Sequence, residues 1–398
     1  MFLLLLLFFS CKNFPQEKLP KEISYMTWSN ILSTAKGTTV NLMMWTGDAF
    51  INKYMNDFVV PQLKSKYNID LKISAGQGNQ IVSLVMNEKQ AGKQNQMDMC
   101  WINGETFYQL RQIDGLYGPF TDQLPNSKHI DFKNQFINTD FQQPINGMEC
   151  PWGNVQLCVI YDSLKVPSPP KNLTELAQWV KINPEKFTIG IDFTGLTVLK
   201  SWMISIAGGT DSLKGNFNEE KYQKYSKQLW SYINNTKQYW WKEGKTFPNA
   251  VAPMHQMFAN GELYFTMSNN DGDVDNKVLQ GFFPESSRSY VYDGGTIQNS
   301  HYMGILKNAE NVAGAMVVCN FLISKEAQFE KMKTNVWGDG TVLDVTTLDG
   351  DWQQKFATLA ARKYGPQRSQ IQSKALPEIA AEYMIRLNDD FRKFVIEK

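Results

Sequence analysis

The sequence predicts an α/β protein of two lobes, joined by a hinge of crossing strands and parted by an interlobe cleft. Three observations lead there. Strand and helix patterns alternate from residue 40 in the order βαβαβ, which in one sheet implies parallel strands with right-handed crossovers. Two β-rich, glycine-punctuated runs, CPWGNVQLCVIYD (150–162) and RSYVYDGGTIQNSHYMGI (288–305), bracket a block with its own helices and strands and read as two crossings between lobes. The length, 398 residues at 42% hydrophobic and 20% charged, is enough for two cores.

The chain opens on MFLLLLLFFSC, an apolar run from Phe2 to Phe9 that is far short of the about 20 residues a membrane-crossing helix needs. It reads as a signal-peptide core, with Ser10 ahead of a Cys11 that processing would make the lipidated first residue. No Lys or Arg precedes the run, and Phe8 stands where a lipobox usually has Leu. The expected product is exported, periplasmic or at the cell surface, and held to the membrane by lipid. Residues 1–11 are then the signal peptide, and 12–36, beginning with the polar KNFPQEKLPKE, the tether and leading helix.

Lobe 1 is expected over 37–152 plus 296–348. Its opening elements are a strand in VNLMMW, a helix in DAFINKYMNDFVVPQLKSKY, a strand in IDLKISAG, a helix in NQIVSLVMNEKQAGK and a strand in QMDMCWING. Lobe 2 is expected over 158–290. There Asn172 followed by Glu175 marks a helix start, and Tyr222, Tyr225, Leu229, Tyr232, Ile233 and Trp240 recur at helical spacing as a core stripe. Residues 349–398 read as C-terminal helices.

Composition narrows the function. With 40 basic and 39 acidic residues there is no single-sign field to hold nucleic acid. No CxxC or Cys/His spacing supports zinc, and Cys150 and Cys158 read as small buried thiols that an oxidising compartment would permit to bridge. Asp271, Asp273 and Asp275 alternate like the start of a calcium loop, but Asn276 and Phe282 stand where Gly and Glu are required, so a turn is expected. A nucleophile elbow, a HExxH motif and a P-loop are all missing, so no cofactor, metal or enzyme activity is expected. The alternatives are an exported hydrolase working through carboxylates such as Asp48 and Glu105, or a ligand-sensing surface lipoprotein.

In an open parallel sheet ligands sit beyond the carboxyl ends of the strands. The expected lining is therefore Trp45, Gly47 and Asp48; Trp101, Asn103 and Glu105; Trp152; Asp192, Phe193 and Thr194; Asn270 and Asp271; and Asn299. Trp45 or Trp152 would stack the solute, Asp48, Asn103 and Glu105 would hold it, and Asp192, Phe193 and Asn270 would seal it. Arg111 and Arg288, alone before residue 360, fall on no expected mouth loop, which favours a small cationic solute over an anion. Each tryptophan has an alternative as core, and Asp48 one as the N-cap of the helix that follows.

The stretches MMWTGD, MCWINGETFYQLRQIDGLYGPF, ECPWGNVQLCVIYDS, YVYDGGTIQNSHYMGI, AGAMVVCNFLIS and VWGDGTVLDV, in this order, resemble the YnjB-like solute-binding proteins of ABC importers from about residue 25 to 348. The resemblance implies a type II periplasmic-binding-protein fold that closes on a thiamine-type solute and delivers it, as a monomer, to a membrane permease and its ATPase. It maps the W-x-G element onto Trp45 and Gly47, W-I-N-G-E onto Trp101 to Glu105, and P-W-G onto Pro151 to Gly153. Thr46, where Gly is usual, and the SNNDGDVDN loop depart from the family pattern and leave the solute itself open.

Overall fold

The computed structural model describes Ile23 and residues 25–398. The lipidation site expected at Cys11, the signal segment and the tether up to residue 22 lie outside the described residues.

Lobe 1 is built on one mixed sheet. β1 (Thr39–Met44) runs parallel between β2 (Asp70–Ala75) and β3 (Met99–Ile102). Along β1 the side chains of Val40, Leu42 and Met44 are buried and their neighbours half-buried, the period of two that pleating imposes. A short ribbon of β4 (Thr139–Asp140) and β5 (Gln143–Pro144) precedes β6 (Glu149–Gln156), whose eight residues are all buried. In lobe 2, β7 (Cys158–Asp162) lies antiparallel between β8 (Phe265–Ser268) and β9 (Ser287–Tyr290). β10 (Thr296–Ile305) then returns to lobe 1, antiparallel to both β3 and β6.

Each lobe has its own apolar core. The first gathers Val40, Leu42, Met99, Phe107, Trp152, Tyr302 and the helix Val312–Leu322, against which the leading helix Trp28–Ala35 packs through Ile31. The second gathers Phe187, Trp202, Tyr222, Leu229, Ile233 and Trp240, with Tyr225 and Tyr232 packed against it, so the aromatic stripe that begins in the helix Glu219–Thr236 is core packing. Cys100, Cys150, Cys158 and Cys319 are buried free thiols.

The chain passes between the lobes at β6–β7, with Leu157 alone between the strands, and at β9–β10. The two passages are tied together where the Leu157 amide donates to the Ile297 carbonyl at 2.8 Å. The tail, expected as C-terminal helices, holds the helices Gly350–Ala357 and Ala381–Phe391 and is shared between the lobes. Phe356 of the helix Gly350–Ala357 enters the lobe 1 core, β11 (Ala375–Leu376) pairs with the start of β10, and the helix Ala381–Phe391 fills the lobe 2 core with Tyr383, Met384 and Leu387. The tail is therefore a third connection between the lobes.

Candidate functional site

The carboxyl ends of β1, β2 and β3 open onto a cavity of about 170 Å³ between the lobes. From lobe 1 it is lined by Trp45, Gly47, Asp48, Gln77, Trp101 and Asn103, and from lobe 2 by three helix starts carrying Asp192 to Thr194, Asn249 to Ala252, and Asn270 with Asp273. Asn299 and His301 of β10 and Trp337 and Asp339 beyond it complete the wall. Ten of the residues expected from the sequence meet there: Trp45, Gly47, Asp48, Trp101, Asn103, Asp192, Phe193, Thr194, Asn270 and Asn299.

Three expected positions do not, and each has another use. Trp152 is fully buried in the lobe 1 core, edge-on to Trp101 at 5.0 Å between ring centroids, so it supports that ring and offers no face to a solute. Glu105 is not among the lining residues and sits in the electrostatic company of Lys200, Asp140 and Glu378, and burial pushes its carboxyl up to about 7. Asp271 is buried beneath the wall, accepting from Arg362 at 2.5 Å, from Arg368 at 2.6 Å and from the Gln156 amide at 2.9 Å. Of the carboxylate pair considered for acid–base chemistry, Asp48 lines the cavity and Glu105 is not among its lining residues.

The alternating aspartates go to three different sets of partners within the protein. Asp271 takes the two arginines, Asp273 pairs with Lys277, and Asp275 accepts from the amides of Lys363, Tyr364 and Gly365.

Asp48 does two things at once. One oxygen caps the helix Ala49–Lys53, accepting from the Phe50 amide at 2.8 Å and the Ile51 amide at 3.1 Å, while the other meets Lys277 Nζ of lobe 2 at 2.5 Å. Burial alone would raise its pKa, but Lys277 and the two amides outweigh that and hold it below the usual carboxylate value. Asp192 is likewise engaged on both oxygens, by the Gly195 and Val251 amides at 3.1 and 2.7 Å, and so ties two helix starts together. His301 Nε2 lies 3.0 Å from Asp339, which also pairs with the buried Lys331. A Cβ at Gly153 would fall 2.4 Å from both Asp339 and the His301 ring, so only glycine admits this trio beside Trp152. Gly47 serves Trp45 in the same way, since a Cβ there would lie 2.6 Å from the indole.

Most polar groups of the wall are paired within the protein, and two donors stand out. Asn270 Oδ1 accepts from the Gly272 amide at 2.9 Å, which fixes the amide orientation and leaves Nδ2 buried without a partner. Trp101 Nε1 is buried without a partner as well. The two come from opposite lobes. Trp337, Asp339, His255 and the 249–252 segment were not anticipated as lining. The helix Val251–Ala259 begins behind Ala250, which has no capping side chain, so the sequence carries no start signal there. Trp337 and Asp339 lie in VWGDG, a loop following no strand.

The model of the bacterial extracellular solute-binding protein family matches residues 59–360, which contain most of the cavity wall. The chain belongs to that family. It is 34% identical over 326 residues to Protein YnjB of Escherichia coli (strain K12), an alignment covering 81% of this chain and 84% of that protein. Among solved structures it shares its fold with AfuA from Actinobacillus pleuropneumoniae with fructose-6-phosphate bound (TM-score 0.64, 13% identity, 90% of this chain and 98% of that one). The spermidine/putrescine substrate-binding protein PotD from Streptococcus pneumoniae (TM-score 0.62, 14% identity, 90% and 98%) and a periplasmic thiamin binding protein (TM-score 0.59, 14% identity, 90% and 96%) share it too.

Proposed function

We propose that the protein captures a small, singly cationic aromatic solute of thiamine type between its lobes and delivers it to an ABC permease, acting as a monomer anchored through a lipid on Cys11. The observation that carries the reading is the make-up of the cavity lining: no lysine or arginine is among the lining residues, whereas Asp48, Asp192, Asp273 and Asp339 are, together with the rings of Trp45, Trp101, Phe193 and Trp337. A phosphate ester would bring its negative charge to four carboxylates with no lysine or arginine in the lining to receive it. A flexible polyamine could use the carboxylates but has no flat face for the rings. A heteroaromatic cation suits both, its charge set among carboxylates and its ring stacked on Trp45 or Trp337.

The test is calorimetric titration of the purified protein with thiamine, spermidine and fructose 6-phosphate, with the solute recovered afterwards by mass spectrometry. Thiamine is expected to bind at least about tenfold more tightly than the other two, a margin of about 1.4 kcal/mol, and to come back unchanged. Tighter binding of spermidine or the sugar phosphate overturns the solute class, and a converted product restores the hydrolase.

A further inference from the structure

We propose that Lys277 is a specificity-determining residue of the cleft: its ammonium fills a carboxylate-and-aromatic cage built from both lobes, so that the solute places no second positive charge there. The proposal rests on the reading of the interlobe cavity as the solute site, not on thiamine in particular.

Lys277 belongs to the short helix Asp273–Leu279 of lobe 2 and is only 2% exposed. Its Nζ lies 2.5 Å from Asp48 of lobe 1 and 3.1 Å from Asp273 on its own helix, and stands 4.7 Å above the Phe50 ring of lobe 1. Two carboxylates and an aromatic face are what an alkylammonium ligand seeks. Here the protein supplies the ammonium itself, from behind the wall, while Asp48 and Asp273 line the cavity and Lys277 does not. Burial works against its charge, but Asp273 and Asp48 prevail and hold its pKa above the ordinary lysine value. His255, the other titratable group at hand, lies 3.9 Å from Asp273 and is kept below the usual histidine value by burial, so it adds no competing cation at neutral pH.

Two consequences follow from the cage being shared. A solute with a terminal ammonium aimed at Asp48 and Asp273 would have to evict Lys277 and leave a buried charge without partners, so dications are rejected. The cage also exists only when the lobes meet, since Asp48 and Phe50 come from one and Asp273 and Lys277 from the other. Lys277 therefore contributes to closure independently of what the solute is.

Chemical rescue tests this without the natural solute. Thermal unfolding of the wild-type protein and of Lys277→Ala is followed with millimolar propylammonium, putrescine or 1-propanol. The emptied cage is expected to take up either amine, raising the variant's melting temperature by several degrees through mass action, while the wild type is unmoved and propanol moves neither. Equal shifts in both proteins, or no response to either amine in the variant, would overturn the assignment. Asp48→Asn gives a second reading should Lys277→Ala fold poorly, because asparagine keeps an oxygen for the helix cap. Its solute-free radius of gyration in X-ray scattering should exceed the wild-type value, and an unchanged radius counts against the cage as a closing contact. Thiamine titration of the wild type is read separately, so losing one proposal does not decide the other.

Discussion

Glu105 follows Asn103 by two positions at the start of the helix Gly104–Gln112, and successive helical residues point about 100° apart. Asn103 and Thr106 therefore reach the cavity while Glu105 is not among its lining residues; around Glu105, Asp140 and Glu378 add to the negative charge and Lys200 alone opposes it. Burial is the main reason its carboxyl titrates near 7 instead of 4.5. The sign follows. Below about pH 4.5 Glu105 is protonated whether the chain is folded or not, and it contributes nothing to the pH dependence. Between 4.5 and 7 the unfolded chain has lost the proton that the folded one keeps, so stability falls as pH rises and levels off above 7. Glu105→Gln removes the penalty. Its unfolding free energy from urea titration should match the wild type at acid pH and exceed it at pH 8 by at most about 3 kcal/mol; a gap that stays constant from pH 5 to 8 would show that the residue does not titrate in this window.

At the scale of elements, Asp192 caps the helix Phe193–Ile206 with one oxygen and supplies with the other the cap that Ala250 cannot give to the helix Val251–Ala259. Asp192→Ala should cost about 1–2 kcal/mol, speed hydrogen exchange at the Gly195 and Val251 amides, and weaken solute binding because both helix starts line the cavity. Unchanged exchange at Val251 would mean the second cap is not maintained in solution. Legibility at this scale followed the physics of burial. β1 could be read because one alternation is buried and the other only partly, so the place where it ends and delivers Trp45 to Asp48 was visible. β6 could not, since all eight of its residues are buried and nothing in such a run distinguishes the face towards a cavity from the face towards a core; Trp152 was misplaced for that reason. The lobe crossings at Leu157 and before β10 were legible from glycine and β-rich composition. The lining at Trp337, Asp339 and His255 was not, because long-range packing, not local pattern, brings those residues to the cleft.

Across the whole molecule, the tail from residue 358 to 376 is fastened at two buried anions, Asp275, which takes the Lys363, Tyr364 and Gly365 amides, and Asp271. Asp271 receives Arg362 and Arg368 from the tail and the Gln156 amide from the end of β6, so a single carboxylate joins lobe 2, the hinge and the returning chain. Burial by itself would raise its pKa, but the two guanidinium groups and the amide overcome this and hold it below the ordinary carboxylate value. Its stabilisation is therefore present above about pH 4 and is lost as pH falls through the lowered folded pKa. Asp271→Ala strands two arginines, and removing one partner of a buried pair typically costs about 3–5 kcal/mol. The lower end is expected, since Arg362 and Arg368 keep 16% and 28% of their side-chain surface in water. The variant should unfold at lower urea at pH 7, approach the wild type towards pH 2, and admit protease between residues 358 and 376 before either lobe is cut. If instead the lobes are cut first, or the difference persists undiminished in acid, the tail is held by the Asp275 contacts and by the insertion of Tyr383 and Leu387 into the lobe 2 core, and not by the Asp271 ion cluster.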